Sequence, residues 1–272
     1  MNADNYLSSA IRMVLADRSW WWRAAVIAAV GTVPYVGSFL IAGYFMVIMG
    51  DAAWSSDRGL PWFSERSTIL RRSWDGFVVG VVWGLLLAVP LAIFTVAVVF
   101  VRAAHGSGPA IPWWYLTTLS LMSGALSVFL SVALLRASIY LRPSAGLTIR
   151  GVRELISRYP AGFRKVTGIM LAVFAISAVL SAPATYARYF VTLSPFASNA
   201  LLYGGGFLVA LVTAPLRFVM FTAYGLWAKD TDPSSWPPLT GAVAGDSHHV
   251  ATAQVATAPL NDAYEPFDAR DE

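Results

Sequence analysis

An all-α, polytopic membrane protein is the fold class this sequence predicts, and three observations carry it. Hydrophobic residues make up 57% of the 272-residue chain and charged ones 12%, with a mean hydropathy of +0.60, whereas soluble domains carry roughly 25% charged residues. Apolar runs of about 20 residues, the length a helix needs to cross about 30 Å of hydrocarbon, recur along the chain. Basic residues crowd the short segments between those runs, the pattern of cytoplasmic loops.

Four runs qualify as transmembrane helices. Gly76 to Val101 carries Pro90 near its middle, where a kink is tolerable if neighbouring helices or water satisfy the freed carbonyl. Trp113 to Leu141 opens on Trp113, Trp114 and Tyr115, the residue types of an interfacial aromatic belt. Val166 to Ala184 closes near Pro183, and Leu201 to Trp227 is anchored by Tyr203 and Trp227. A fifth stretch, Ala24 to Met49, is interrupted by Val33-Pro34-Tyr35-Val36-Gly37, which sets the helix breaker Pro34 near the flexible Gly37. It is either one broken span or a re-entrant hairpin.

Loop charges bear on that choice. Arg142, Arg150, Arg153, Arg158, Arg164 and Lys165 mark the connection before Val166 as cytoplasmic, and Arg58, Arg66, Arg71 and Arg72 put the Asp51 to Asp75 connection on the same side. Arg102 and Arg188 then fall outside. The N-terminal arm, with Arg12, Arg18 and Arg23, also asks to be inside. Both ends of Ala24 to Met49 meet that demand only if the segment turns back at Pro34 to Gly37, so the charges favour the hairpin. The polar start of the chain and the absence of a small-residue cleavage site predict that the first apolar segment is retained.

Amphipathic segments precede several apolar ones. In Thr148 to Arg164, Val152, Leu155, Ile156 and Tyr159 share one helical face while Arg150, Arg153, Glu154 and Ser157 take the other, which suits an interfacial helix. Leu7, Ile11, Val14 and Leu15, opposite Arg12 and Arg18, repeat the design, and Ser64 to Trp74 is a third example. Ile11-Arg12-x-Val14 and Ile149-Arg150-x-Val152 are either a degenerate repeat of the transporter kind or two interfacial helices that look alike. Residues 1–228 hold 17 Lys/Arg against 7 Asp/Glu, and residues 229–272 hold 2 against 8. The chain thus divides into a basic helical membrane domain and an acidic, proline-containing tail with the composition of a disordered segment.

Few residues invite chemistry. With no cysteine, thiolate and disulfide chemistry are excluded. The four spans and the broken segment contain no Asp, Glu, Lys or His, and the motifs of zinc hydrolases, serine hydrolases and phosphate-binding loops are missing. No cofactor or catalytic residue is expected. Asp75, at the start of its span, is expected to cap the helix. Gly204-Gly205-Gly206 reads as a flexible helix start or a site of close helix packing, because no Lys-Ser/Thr follows it. Arg136 is expected to reach the inner headgroups as an anchor, with Arg150, Arg153, Arg158, Arg164 and Lys165 as further contacts to anionic lipid. Arg217 lies deeper, two residues after Pro215 and far from any obvious carboxylate. It either takes a carbonyl freed by Pro215 or faces a substrate, lipid headgroup or aqueous cavity. Tyr35 and Tyr44 are the polar groups nearest the Pro34 break.

Pro34-Tyr35-Val36-Gly37, Gly43-Tyr44, Gly59-Leu60-Pro61-Trp62 and Asp75-Gly76 together resemble the DUF4013 family of prokaryotic multi-pass membrane proteins, over roughly Asp17 to Leu180. Members of that family commonly carry a basic residue soon after the Gly-Tyr pair; here the first is Arg58. The resemblance implies an inner-membrane protein and supplies no mechanism. The function expected is non-enzymatic, organising or assisting a membrane complex, with anionic lipids and a membrane protein as partners and the C-terminus cytoplasmic. A transporter or permease subunit handling an anionic or lipid-like substrate is the alternative. Nucleic-acid binding is not expected, since the arginines border apolar spans.

Overall fold

The break after Gly31 organises the whole molecule. The computed structural model describes residues 6–33, 35–54, 60–61, 63, 66–104, 113–190 and 194–236, so Pro34 and the tail beyond Trp236 lie outside the described residues. Two helices flank the break, α1 (Tyr6–Ala16) and α2 (Trp20–Gly31) before it and α3 (Val36–Ala53) after it. Tyr35 takes a left-handed φ of 60°, and the Gly37 N–H donates to the Val33 carbonyl at 2.9 Å. Gly37 lies so close to the Val30 carbonyl that any side chain there would collide with backbone. Gly31 meets Ile41, while Ala24 and Ile27 share a core cluster with Tyr44, Phe45 and Ile48. Residues equidistant from the break therefore meet, which is the signature of an antiparallel helical hairpin.

The first arm of the hairpin lies along α10 (Gly206–Asp230). The Tyr6 hydroxyl donates to Asp230 Oδ2 at 2.6 Å, and Val14, Ala24 and Ile27 pack in one cluster with Ala214 and Phe218. The second arm, α3, runs parallel to α10, with Phe45 stacked on Phe221 at 4.3 Å and Gly225 against Met49 and Ala52.

Helix α4 (Arg66–Ala104) is 39 residues long and antiparallel to α3: Gly43 presses on Ile69 and Ser73, and Phe39 meets Phe77 at 6.0 Å. The amphipathic stretch and the apolar run are thus one continuous helix, because no breaker separates Trp74 from Gly76. This corrects the capping role expected of Asp75, which sits well inside the helix. The helix also continues through Pro90.

The chain then returns in α5 (Trp113–Tyr140), whose Ser138 hydroxyl donates to the Met46 carbonyl at 2.6 Å. After Leu141, with φ 57°, the short α6 (Pro143–Leu147) folds back onto α4 and α5, and the Trp83 indole donates to the Gly146 carbonyl at 2.9 Å. Helix α7 (Ile149–Arg158) follows, then α8 (Pro160–Phe190), antiparallel to α10 through Phe163 against Trp227 and Met170 against Tyr224. Helix α9 (Pro195–Ala200) and a π-helical turn, Leu201–Gly205, lead into α10. Gly204 and Gly205 thus sit in the π-helical turn and Gly206 opens α10, with helical backbone continuous from α9 and no close neighbour at Gly204 or Gly206.

Four helices among the described residues are long and apolar enough to cross a membrane: Val36–Ala53, Arg66–Val98, Pro160–Pro183 and Tyr203–Asp230. Helix α5 has 28 residues, with Leu126–Tyr140 as its described apolar part. One end of the bundle gathers the loops and both ends of the helical chain. There Tyr6 reaches Asp230, the Trp227 indole donates to the Tyr159 carbonyl at 3.2 Å, and Gly50 abuts Ser138. This is called the loop end below. The chain divides into two compact units, residues 1–233 and 234–272; of the second, only Ser234 to Trp236 are described.

Candidate functional site

Four arginines, each from a different helix, lie at the depth of Tyr44. The Tyr44 ring stacks on Phe63 at 5.3 Å and touches Phe218 at 5.9 Å, which brings Arg217 of α10 to this level. Gly43 contacts Ser73, so Arg72 of α4 is level with it. The bond from Ser138 to Met46 sets Arg136 of α5 about one helical turn away. Arg23 of α2 ends on the Leu60 carbonyl, next to the Pro61 carbonyl that accepts from the Tyr44 hydroxyl at 3.3 Å.

Their environments differ. Arg23 is 2% exposed and is held by Asp17 at 2.7 Å in addition to the Leu60 carbonyl. Asp17 also accepts from the Ser19 N–H at 2.9 Å and the Ser19 hydroxyl at 2.7 Å. Burial alone would raise the Asp17 pKa, but the two Ser19 hydrogen bonds and the Arg23 charge outweigh it and hold the carboxyl below its ordinary value of 3.8. The result is a latch that pins the 60–61 loop onto the hairpin. Arg72 Nη1 and Asp75 Oδ2 are buried without a hydrogen-bond partner among the described residues, although the two charges act on each other along α4. Arg136 is 8% exposed, beneath Gly151 of α7 and 5.3 Å from the Tyr140 ring centroid. The headgroup anchor expected at Arg136 is thus turned inward, because α6 and α7 fold back over α5 and cover it. Arg217 is exposed and makes no hydrogen bond or ion pair among the described residues.

A second cationic feature lies at the loop end. Helix α7 buries Gly151, Val152 and Leu155 against the bundle, so its apolar face is spent on protein rather than on lipid. Its outer face exposes Ile149, Arg150, Arg153 and Arg158, and Arg164 and Lys165 continue this surface onto α8. On α7, Arg158 pairs with Glu154 at 3.3 Å. Helix α1 repeats the pattern with Ile11 and Arg12 exposed and Val14 buried. A cavity of ≈ 20 Å³, lined by Met13, Val14, Ile48, Asp51, Leu60 and Thr222 among others, lies between α1, α3 and α10. That volume suits a water rather than an organic substrate.

The remaining candidates from the sequence scatter. Tyr35 is 90% exposed at the hairpin tip, while Tyr44 is buried in the aromatic cluster. Gly37 serves close backbone packing at the turn, and Pro215 lies inside α10. Pro34 falls outside the described residues. Sequence reasoning missed the latch: Arg23 was read as a topology marker and Asp17 was not singled out. The available signal was an acid and a base on either side of Ser19 and the tryptophan run, bracketing a helix start. What the site offers chemically is cationic hydrogen-bond donors, and among the described residues no group of three His, Cys, Asp or Glu is placed to hold a metal ion.

One family model, described as a protein of unknown function (DUF4013), matches residues 26–187. No curated protein matches the chain, and no solved structure does.

Proposed function

The chain belongs to the DUF4013 family, and from that premise we propose that it is a non-enzymatic integral membrane protein that organises or assists a membrane complex, its loop end held at the inner face of a prokaryotic cell membrane by anionic lipid. The observation that carries this reading is the row of five exposed cations, Arg150, Arg153, Arg158, Arg164 and Lys165, beside the point where both ends of the helical chain meet. Each cation near an anionic surface contributes about 1 kcal/mol of attraction, so five hold this end firmly against one leaflet. The rigid attachment of α7 through Val152 and Leu155 presents those charges as a fixed surface. Such a surface suits a partner or a leaflet better than a moving substrate.

Extraction in native lipid discs, with identification of the lipids and proteins that come with the chain, tests the proposal. Enrichment of anionic lipid together with a recurrent membrane-protein partner is expected, and changing the five cations to Gln should sharply reduce the lipid enrichment. Neutral lipid alone and no partner would contradict it. Arg217, without a partner among the described residues, favours a second reading, a transporter subunit for an anionic or lipid-like substrate; flux of such a substrate across proteoliposomes would select it.

A further inference from the structure

On α10, Ala214, Phe218, Phe221 and Gly225 turn to the hairpin, while Tyr224 and Trp227 turn to α8. At about 100° per residue, Arg217 projects between those two faces. On that side α5 bridges the neighbouring helices, through Ser138 to α3 and through Ser131 to Met170 of α8. Arg217 is nonetheless exposed, so its side chain stands open at the surface between those two packed faces.

Two further facts define its chemistry. Pro215 has no N–H to offer the Leu211 carbonyl, yet Arg217 does not take that carbonyl, and it has no other partner among the described residues. It also lies about 20 Å by helical rise from the Asp230 end of an apolar helix. A bare cation at such a depth is costly, and the few that persist there are paired or face a polar ligand.

We propose that Arg217 binds a phosphate group between these two faces of α10, the headgroup of an anionic phospholipid or free phosphate. The planar guanidinium fork fits two phosphate oxygens at once, which a lysine ammonium does not reproduce. The inference deepens the lipid-binding part of the function proposed above and rests on it. It adds a single site distinct from the diffuse charge of α7.

The test uses the full chain in lipid discs of phosphatidylcholine with titrated phosphatidylglycerol. Tightly retained phosphatidylglycerol is counted by mass spectrometry, and radiolabelled inorganic phosphate is measured in parallel. Arg217→Gln should weaken retention by about tenfold or more, the loss typical of a charged hydrogen-bond partner. Arg217→Lys should fall between, and it serves as the readout if Arg217→Gln fails to fold. Phosphate binding that is lost in Arg217→Gln would support the site with a soluble ligand instead of a lipid. Unchanged retention and unchanged phosphate binding in Arg217→Gln and Arg217→Lys would overturn the inference. If the fivefold α7–α8 variant loses bulk anionic lipid while Arg217→Gln loses nothing, this site fails and the broader reading stands; the opposite pattern spares the site and removes the role given to α7.

Discussion

The Asp17–Arg23 latch is where a small perturbation should have a large effect. The two side chains are 11% and 2% exposed and 2.7 Å apart, and Arg23 also donates to the Leu60 carbonyl. Removing one partner of a buried ion pair typically costs about 3–5 kcal/mol. Asp17→Asn keeps the shape and the Ser19 contacts and leaves Arg23 its carbonyl, so about 3 kcal/mol, the low end, is expected. Arg23→Gln loses the carbonyl bond as well and should cost at least about 3 kcal/mol. The double variant Asp17→Asn/Arg23→Met removes both members of this ion pair and should recover most of the loss. Reversible unfolding in mixed micelles, read by tryptophan fluorescence, gives the three values and their coupling. Single variants within about 0.5 kcal/mol of the parent, the range of ordinary surface substitutions, would refute the reasoning.

The same carboxylate sets a pH dependence. Because the Asp17 pKa is lower folded than unfolded, its contribution is present above the unfolded value of about 4 and disappears as pH falls through the folded value. Stability should therefore drop below about pH 4 more steeply in the parent than in Asp17→Asn, as measured by the same unfolding assay across pH 3 to 6. Gly43→Ala should cost about 2–3 kcal/mol, because the new methyl meets the Ile69 carbonyl and the Ser73 backbone, neither of which yields. Gly80→Ala, on the open side of α4, is the matched control and should be neutral or stabilising by up to about 1 kcal/mol.

The sequence exposes the apolar helices well because each needs a long uninterrupted run. Thus Val166 to Ala184 lies inside α8, and Trp113 to Leu141 coincides with α5 to within a residue. It exposes the fold-back through charge, since arginines at both ends of the segment ask for the same side, but not its depth: the second arm, Val36–Ala53, is by itself long and apolar enough to cross a membrane. It blurs the joint between Trp74 and Gly76, since a helix without a breaker continues whatever its polarity, and so Asp75 looks like a cap while lying inside α4. Burial of Arg23 and Arg136 was invisible for a related reason. An arginine flanking an apolar run reads the same whether it points to headgroups or to a carboxylate and carbonyl brought from elsewhere in the chain. The Gly43-Tyr44 and Leu60-Pro61 motifs, matched only as patterns, acquire a cause in the structure. Gly43 lets α3 and α4 touch, and the Tyr44 hydroxyl ties α3 to the Pro61 carbonyl. Arg217 alone was legible as unusual, because no sequence partner was available and none appears among the described residues.

The central claim is that the hairpin brings the N-terminal helix to the same end as the cationic α7. The chain has no cysteine, so single-cysteine variants in intact cells and inverted vesicles report sidedness without background. Leu7→Cys and Ser157→Cys should both label from the cytoplasmic face, with Tyr203→Cys, at the opposite end of α10, labelling from outside. Labelling of Leu7→Cys and Ser157→Cys from opposite faces would contradict the account.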